Sequence, residues 1–259
     1  TPTQGTWVIT SYAVAEAITV PLTGWFTQRY GSVKVFVVAM AAFGLCSALA
    51  GLSTSLGFLI FARVLQGMAG GPLMPLSQTL MLRIFPKEKA GAATGIWAMT
   101  TLVGPVLGPI LGGWICDNYS WPWIFLINLP IAGACAYICW KILRRYETKI
   151  VRNPIDVVGF VLLLVWVGAL QIMLDEGKHL DWFSSITIIG LAIVAVVGFI
   201  AFLIWEFTAE HPIVDLRVFR HRGFTAAVLT ISLTFAGFFA ANVLTPLWLQ
   251  SFMAYTATG

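Results

Sequence analysis

The sequence predicts an all-α membrane protein, a polytopic helical bundle with about eight transmembrane helices, and three observations carry that expectation. The chain of 259 residues is 59% hydrophobic and only 10% charged, whereas a soluble domain carries roughly 25% charged residues. Its mean hydropathy is +0.88, and its apolar residues gather into runs long enough to cross a bilayer. Its basic residues, finally, alternate from loop to loop.

A hydrocarbon core of about 30 Å takes about 20 residues at a helical rise of about 1.5 Å each. Runs of that length cover 7–27, 34–52, 57–82, 90–116, 122–143, 156–174, 184–206 and 224–250, which leaves no room for a separate soluble domain. Of the 15 basic residues, all but Arg63, inside a run, and Lys178 fall in one set of alternate loops. These are Arg29 and Lys34; Arg83, Lys87 and Lys89; Lys141, Arg144, Arg145, Lys149 and Arg152; and Arg217, Arg220 and Arg222. Lys178 sits in an opposite loop among Asp175, Glu176 and Asp181. Short loops rich in Lys and Arg stay on the cytoplasmic side, so the basic loops are expected there. The net charge of +4 is then a topology signal, and nucleic acid is not expected as a partner. With this orientation the first run starts outside, which leads to the expectation that a helix precedes it and that both ends are cuts.

Trp7, Trp114, Trp121, Trp123 and Trp182 lie near run ends, where amphipathic indoles anchor at the membrane interface. Cys46, Cys116, Cys135 and Cys139 lie within or at the ends of apolar runs, without the spacing of a disulfide framework or a zinc site. His179, His211 and His221 occupy loops far apart along the chain. No catalytic constellation is expected, and no metal or cofactor.

The chemistry is expected inside the membrane. Glu16 lies near the middle of the first run, where an ionised side chain costs about 2.5–3.5 kcal/mol or more and so faces a cavity or a partner. At about 100° per residue, Tyr12, Glu16, Thr19 and Thr23 form one polar stripe. Burial favours the neutral acid and a neighbouring cation favours the carboxylate, so a carboxyl balanced between them can take up and release a proton. Arg63 is the second such residue, and an arginine keeps its proton. The same helical geometry places Arg63, Gln66, Gly67, Gly70, Met74 and Gln78 on one face.

In the fourth run, Gly104, Gly108 and Gly112 recur every four residues, with Pro105 and Pro109 between them and Gly95 and Gly113 on the opposite face. Small residues at this spacing allow close helix approach, and each proline removes a helical hydrogen bond. Thr101 is placed to cap the carbonyl freed by Pro105. The combination predicts a bendable packed helix suited to a gate. In the last run Phe235, Phe238, Phe239, Asn242 and Thr245 share a broad face that could hold an apolar molecule.

These residues resemble signatures of the major facilitator superfamily, specifically the 14-span drug:proton antiporters of the EmrB/QacA type. The stretch from Gly24 through Arg29, Gly31 and Lys34 is similar to the loop signature between the family's second and third spans, departing from it at Gln28, where the pattern has an acid. Leu59 to Arg63 with Gln66 and Gly67 resembles the fourth-span motif assigned to proton coupling. Gly95, Gly104, Gly108, Pro109, Gly112 and Gly113 resemble the fifth-span antiporter motif, which the family associates with export.

By this resemblance the chain covers spans two to nine of fourteen. Residues 1–143 would be most of the first half without its first span, 144–223 two extra linker spans, and 224–259 the first span of the second half. The resemblance implies a proton-driven multidrug exporter of the bacterial inner membrane, working by alternating access on hydrophobic or amphipathic drugs. In that reading Glu16, Arg63, Gln66 and Tyr12 carry coupling or substrate contact, and Met74, Gln78, Phe238 and Asn242 line the substrate cavity. The partner of Arg63 would be a carboxylate in the preceding span. A periplasmic membrane-fusion adaptor and an outer-membrane channel are the implied partners. The competing readings are a nutrient or metabolite facilitator on the same fold and, from a different class, a membrane-embedded enzyme or receptor.

Overall fold

The structure is a computed structural model that describes residues 2–151, 154–210 and 212–252, and among the described residues it is helical without strands. The helices are α1 (Pro2–Tyr30), α2 (Ser32–Gly51), α3 (Leu56–Gly70), α4 (Leu73–Ile84), α5 (Ala90–Asn118), α6 (Trp123–Leu126), α7 (Asn128–Leu143), α8 (Val157–Glu176), α9 (Ile186–Thr208) and α10 (Arg222–Phe252). Each predicted run coincides with one long helix or with a broken pair. Among the described residues, five stretches are long and apolar enough to cross a membrane by length and composition: Ser32–Gly51, Leu56–Ile84, Trp123–Tyr146, Val157–Glu176 and Ile186–Thr208.

Prolines explain why two of these stretches are broken. Pro72 and Pro75 lack the N–H that a helix interior needs, so Leu56–Ile84 divides into α3 and α4 around Gly71 and Pro72. Pro130 does the same between α6 and α7. Here α2 supplies the missing polar partners. The Ser47 hydroxyl donates to the Phe125 carbonyl at 2.9 Å, and the Asn128 amide donates to the Ser47 hydroxyl at 3.0 Å. Unmet backbone groups at membrane depth are tolerated only where neighbouring protein satisfies them.

The chain forms two compact units, Thr1–Val214 and Asp215–Gly259. In the first, α1 packs on α3, α2 on α3 and α7, and α8 on α9. The α8–α9 hairpin belongs to this first unit, and α8 also packs on α1. Trp166 fills that hairpin, its ring 5.0 Å from that of Phe199 and its Cβ at 3.0 Å from where a Cβ on Gly198 would lie. Val33 and Phe36 of α2 form a small core with Leu76 and Leu80 of α4. Outward, apolar side chains such as Ile9, Met99, Ile186 and Val197 are exposed, as helices that meet lipid or further helices require. The end-of-span tryptophans Trp7, Trp114, Trp121, Trp123 and Trp182 are exposed as well. The second unit holds the 3-10 turn Leu216–Arg220 and α10.

The loop between α1 and α2 closes in a way that sequence reading did not anticipate. Gly31 adopts φ +92, a left-handed conformation that side chains with a Cβ rarely take. Immediately after it the first backbone N–H groups of α2 point at Glu147, which arrives from the segment beyond α7. Its carboxylate accepts from Val33 at 2.9 Å, from Lys34 at 3.0 Å and from its neighbour Thr148 at 3.1 Å. The Thr148 hydroxyl accepts from Ser32 at 2.9 Å. A helix N-terminus carries unpaired donors and a partial positive charge, so a carboxylate there is doubly favoured. Replacing Glu147 with Ala is expected to lower stability by about 1–2 kcal/mol, with Gln retaining part of it. Gly31→Ala adds about 1–2 kcal/mol of backbone strain and drives a Cβ into the Glu147 carboxylate. Denaturation of the purified protein in detergent measures both, and Glu147→Ala unfolding at the wild-type midpoint would refute the capping role.

Candidate functional site

The polar stripe of α1 and the charged face of α3 meet. Glycine makes that approach possible: a Cβ on Gly67 would strike the Tyr12 carbonyl and lie 3.0 Å from the Ala15 Cβ. One on Gly71 would lie 2.9 Å from the Thr19 Cβ and 3.0 Å from the Glu16 carbonyl oxygen. With the backbones in contact, Thr19, Thr23 and Gln66 are buried. Each threonine hydroxyl satisfies itself on its own helix, Thr19 donating to Ala15 at 2.7 Å and Thr23 to Thr19 at 3.4 Å.

Arg63 lies at the seam, half-buried, with its donors answered from two helices. Its Nη1 donates to Gln66 Oε1 at 2.7 Å and its Nε to the Val8 carbonyl at 3.3 Å. The guanidinium also stacks over the Tyr12 ring, 4.1 Å from its centroid, and lies 5.7 Å from the ring of Phe125. Tyr12 in turn hydrogen-bonds through its side chain to Glu16, and Glu16 and Arg63 feel each other's charge. Thus Tyr12, Glu16, Arg63 and Gln66 form one cluster. Among the described residues Val8, Gln66 and Tyr12 supply the contacts of Arg63. The Val8 carbonyl and Phe125 gave no signal in the sequence, because a backbone acceptor has no residue type and Phe125 is brought in by α6.

Other residues are placed differently from expectation. Helical periodicity carried the Arg63 face onward to Met74 and Gln78, but the break at Gly71 and Pro72 intervenes, and Met74 is 52% exposed on α4. Phe238 is half-buried on α10 in the second unit, and the side chains of Asn242 and Pro109 lie outside those described. The α5 glycines have no close packing partner among the described residues. A Cβ at Gly95, Gly104, Gly108, Gly112 or Gly113 would meet nothing within 4 Å, because no helix of the described structure packs along that stretch. Thr101 turns its hydroxyl to the Ala98 carbonyl at 2.8 Å. Trp97 instead ties α5 to α4 by donating to the Ser77 hydroxyl at 3.0 Å.

Of the loop-motif residues, Gly24 has open space around it, Arg29 stacks on Trp25 at 5.5 Å, and Lys34 gives its backbone N–H to Glu147. Arg29 and Lys34 also line a cleft of about 850 Å³ with Met68 and Pro72. Among the described residues no group of His, Cys, Asp and Glu side chains could hold a metal ion.

Residues 1–259 match the family model of the Major Facilitator Superfamily. The chain belongs to the major facilitator superfamily. Over 255 residues it is 52% identical to the multidrug export protein EmrB of Escherichia coli (strain K12), covering 98% of this chain and 50% of that protein. It is 51% identical to EmrB of Haemophilus influenzae over the same shares. It is 50% identical to the fatty acid resistance protein FarB of Neisseria gonorrhoeae, again over 98% of this chain and 50% of the relative. The chain therefore spans about half the length of the curated relatives it matches.

In this major facilitator chain the α1–α3 seam is the place where charge, burial and close packing coincide. Gly67→Ala forces the seam apart, and overpacking of this kind costs about 1–3 kcal/mol. It is expected to lower the melting midpoint in detergent, whereas Gly104→Ala, with open space around it, leaves the midpoint near wild type. Equal midpoints for the two variants would count against the seam.

Proposed function

We propose that this chain forms the coupling part of a proton-driven multidrug exporter that moves hydrophobic or amphipathic compounds across the bacterial inner membrane by alternating access. The observation that carries the reading is the Tyr12–Glu16–Arg63–Gln66 cluster, an acid on the 29-residue helix α1 beside a permanent cation on Leu56–Ile84, a stretch long and apolar enough to cross a membrane. Glu16 is the group that gains and loses the proton. With a proton, it leaves Arg63 on its neutral partners; without one, it draws on the guanidinium charge. The ionisation state of one carboxyl thereby sets how tightly α1 holds α3, and interfaces that are bistable convert such local changes into larger movements. The names of the relatives, multidrug export and fatty acid resistance, agree with an amphipathic cargo. Binding near the midplane between repeats is general for such transporters.

Several finer assignments belong to the same proposal. Residues 1–143 supply most of one half, 144–223 the linker spans and 224–259 the start of the other half, with the basic loops in the cytoplasm. Met74, Gln78, Phe238 and Asn242 contribute to the drug cavity, and the glycine face of α5, open here along its length, is the surface that gates. Gly24, Arg29, Gly31 and Lys34 order the cytoplasmic loop. The working assembly includes a periplasmic membrane-fusion adaptor and an outer-membrane channel.

The complete transporter in proteoliposomes tests the coupling. Efflux of a lipophilic cation is expected to fail when the pH gradient is collapsed. Glu16→Gln should slow gradient-driven efflux about tenfold or more, the effect of ~1.4 kcal/mol on the coupled step, while drug binding persists. Efflux indifferent to the gradient would rule out proton coupling, and net uptake of the cation would favour the facilitator reading.

A further inference from the structure

The first unit holds a concave feature that the polar cluster of the α1–α3 seam does not use. Where α1 turns into α2, a cleft of about 850 Å³ opens, within the usual range of small-ligand sites. Compact residues make the space. Ala39 of α2 and Pro72, where α3 gives way to α4, line the cleft and are buried, and neither fills it with a long side chain. Phe26 of α1, Val38 of α2 and Met68 of α3 form the walls, with Val38 65% and Met68 51% exposed. Exposed apolar side chains are expected on any helix that meets lipid, but a hollow lined by three helices is a defined place on that surface.

Cations stand at one end of it. Arg29 and Lys34 line the cleft, and both are exposed. Arg29 lies in the last turn of α1, and Lys34 in the first turn of the membrane-length stretch Ser32–Gly51. Both charges therefore sit at the edge of the apolar layer. By helical rise Val38 lies about 6 Å deeper than Lys34, and Ala39 about 8 Å deeper. The Arg29 guanidinium lies over the Trp25 ring, 5.5 Å from its centroid. Such stacking uses its flat face and leaves its edge N–H donors for an anion. Glu147, the acid that reaches this loop, is engaged elsewhere, its two oxygens accepting the backbone N–H groups of Val33 and Lys34 at 2.9 and 3.0 Å. The cleft is thus amphipathic along its depth, with cations at the boundary and hydrocarbon below.

An occupant has to match both parts. A small polar anion leaves the apolar walls uncovered, and a neutral hydrocarbon leaves the cations unanswered. A phospholipid carries its phosphate at the boundary and its acyl chains below it, in the same order as the cleft. A zwitterionic headgroup brings a further cation to a place that already holds two, so an anionic headgroup is the complementary one. We propose that this cleft binds one anionic phospholipid of the surrounding bilayer, with its phosphate on Arg29 and Lys34 and an acyl chain over Val38 and Met68. The lipid then braces α1 and α2 against α3 beside the Gly31 turn. The site is separate from Glu16 and stands whether or not Glu16 couples transport.

Native mass spectrometry of the complete, delipidated protein with added phosphatidylglycerol or phosphatidylcholine tests this, and it reads lipid binding without transport. Wild type should retain phosphatidylglycerol in preference to phosphatidylcholine. A basic side chain at the membrane surface is worth about a fivefold change in affinity. Replacing both Arg29 and Lys34 with Gln should therefore weaken phosphatidylglycerol retention about twenty-five-fold and leave phosphatidylcholine little changed. Arg144→Gln, in another basic loop, should keep the wild-type preference. Val38→Trp, which fills the cleft and spares the charges, should displace the lipid as well. Phosphatidylglycerol with a photoreactive acyl chain gives a second reading on the wild-type protein alone, with adducts expected on the peptides that hold Val38 and Met68. Equal loss of phosphatidylglycerol in Arg144→Gln and in the double variant, or adducts spread evenly over the apolar surface, would overturn the site. Labelling there by a photoreactive fatty acid and not by phosphatidylglycerol would overturn the phospholipid assignment in favour of a free carboxylate.

Discussion

The close approach of α1 to α3 is the constraint on which the rest of the site depends. With Gly67 and Gly71 against the α1 backbone, there is no room for water between the helices along that stretch. Every polar group at the seam must then find its partner in protein. Arg63 cannot escape by losing its proton, and its length lets it reach across to Val8 and lie on the Tyr12 ring. The arginine is therefore held by a backbone carbonyl, an amide and an aromatic face, three neutral partners, with Glu16 near enough to act through its charge. An arrangement with direct pairing of the two charges would hold them together in every state. Leaving the acid one step away keeps Arg63 on its neutral partners.

The same accounting of polar groups explains features far from the seam. Where prolines interrupt the spans, Ser47 and Asn128 link α2 to the broken α6–α7 pair. Where α2 begins, Glu147 meets the exposed N–H groups. Glu147 and Glu206 are the same residue type in opposite settings. The first is half-buried and answered by helix donors on both oxygens. The second, near the end of α9, has one oxygen answered by the Val214 N–H and one buried without a hydrogen-bond partner among the described residues. Location relative to backbone donors, not residue identity, decides how fully each glutamate is satisfied.

Much of the fold was legible because lipid simplifies the code. A span has to be long and apolar, so each of the eight runs overlaps a helix or a helix pair over nearly its whole length. The polar stripe of α1 was legible for the same reason, since Glu16 and its neighbours stand out against an apolar background and share a face by geometry alone. Extrapolation failed where the helix it assumed was not continuous. The face projected from Arg63 to Met74 lost its phase at Gly71 and Pro72. The α5 glycines carry a close-packing spacing, but spacing states only what a helix permits, and no partner lies along it among the described residues. Glu147 was hidden among basic residues in a loop, with nothing local to mark it as the cap of a helix more than a hundred positions earlier.

By itself, then, the sequence determined what hydrophobicity and periodicity control: long apolar helices, their approximate ends, the loops in which basic residues collect, and which ionisable groups fall within apolar runs. These are local properties, readable from a window of one helix. Only the tertiary structure decided who meets whom. It brought Arg63 to Val8 and Tyr12, and Glu147 to α2. Each of these contacts depends on backbone groups and interhelical spacing set by many residues at once, and neither leaves a pattern in any single stretch of chain.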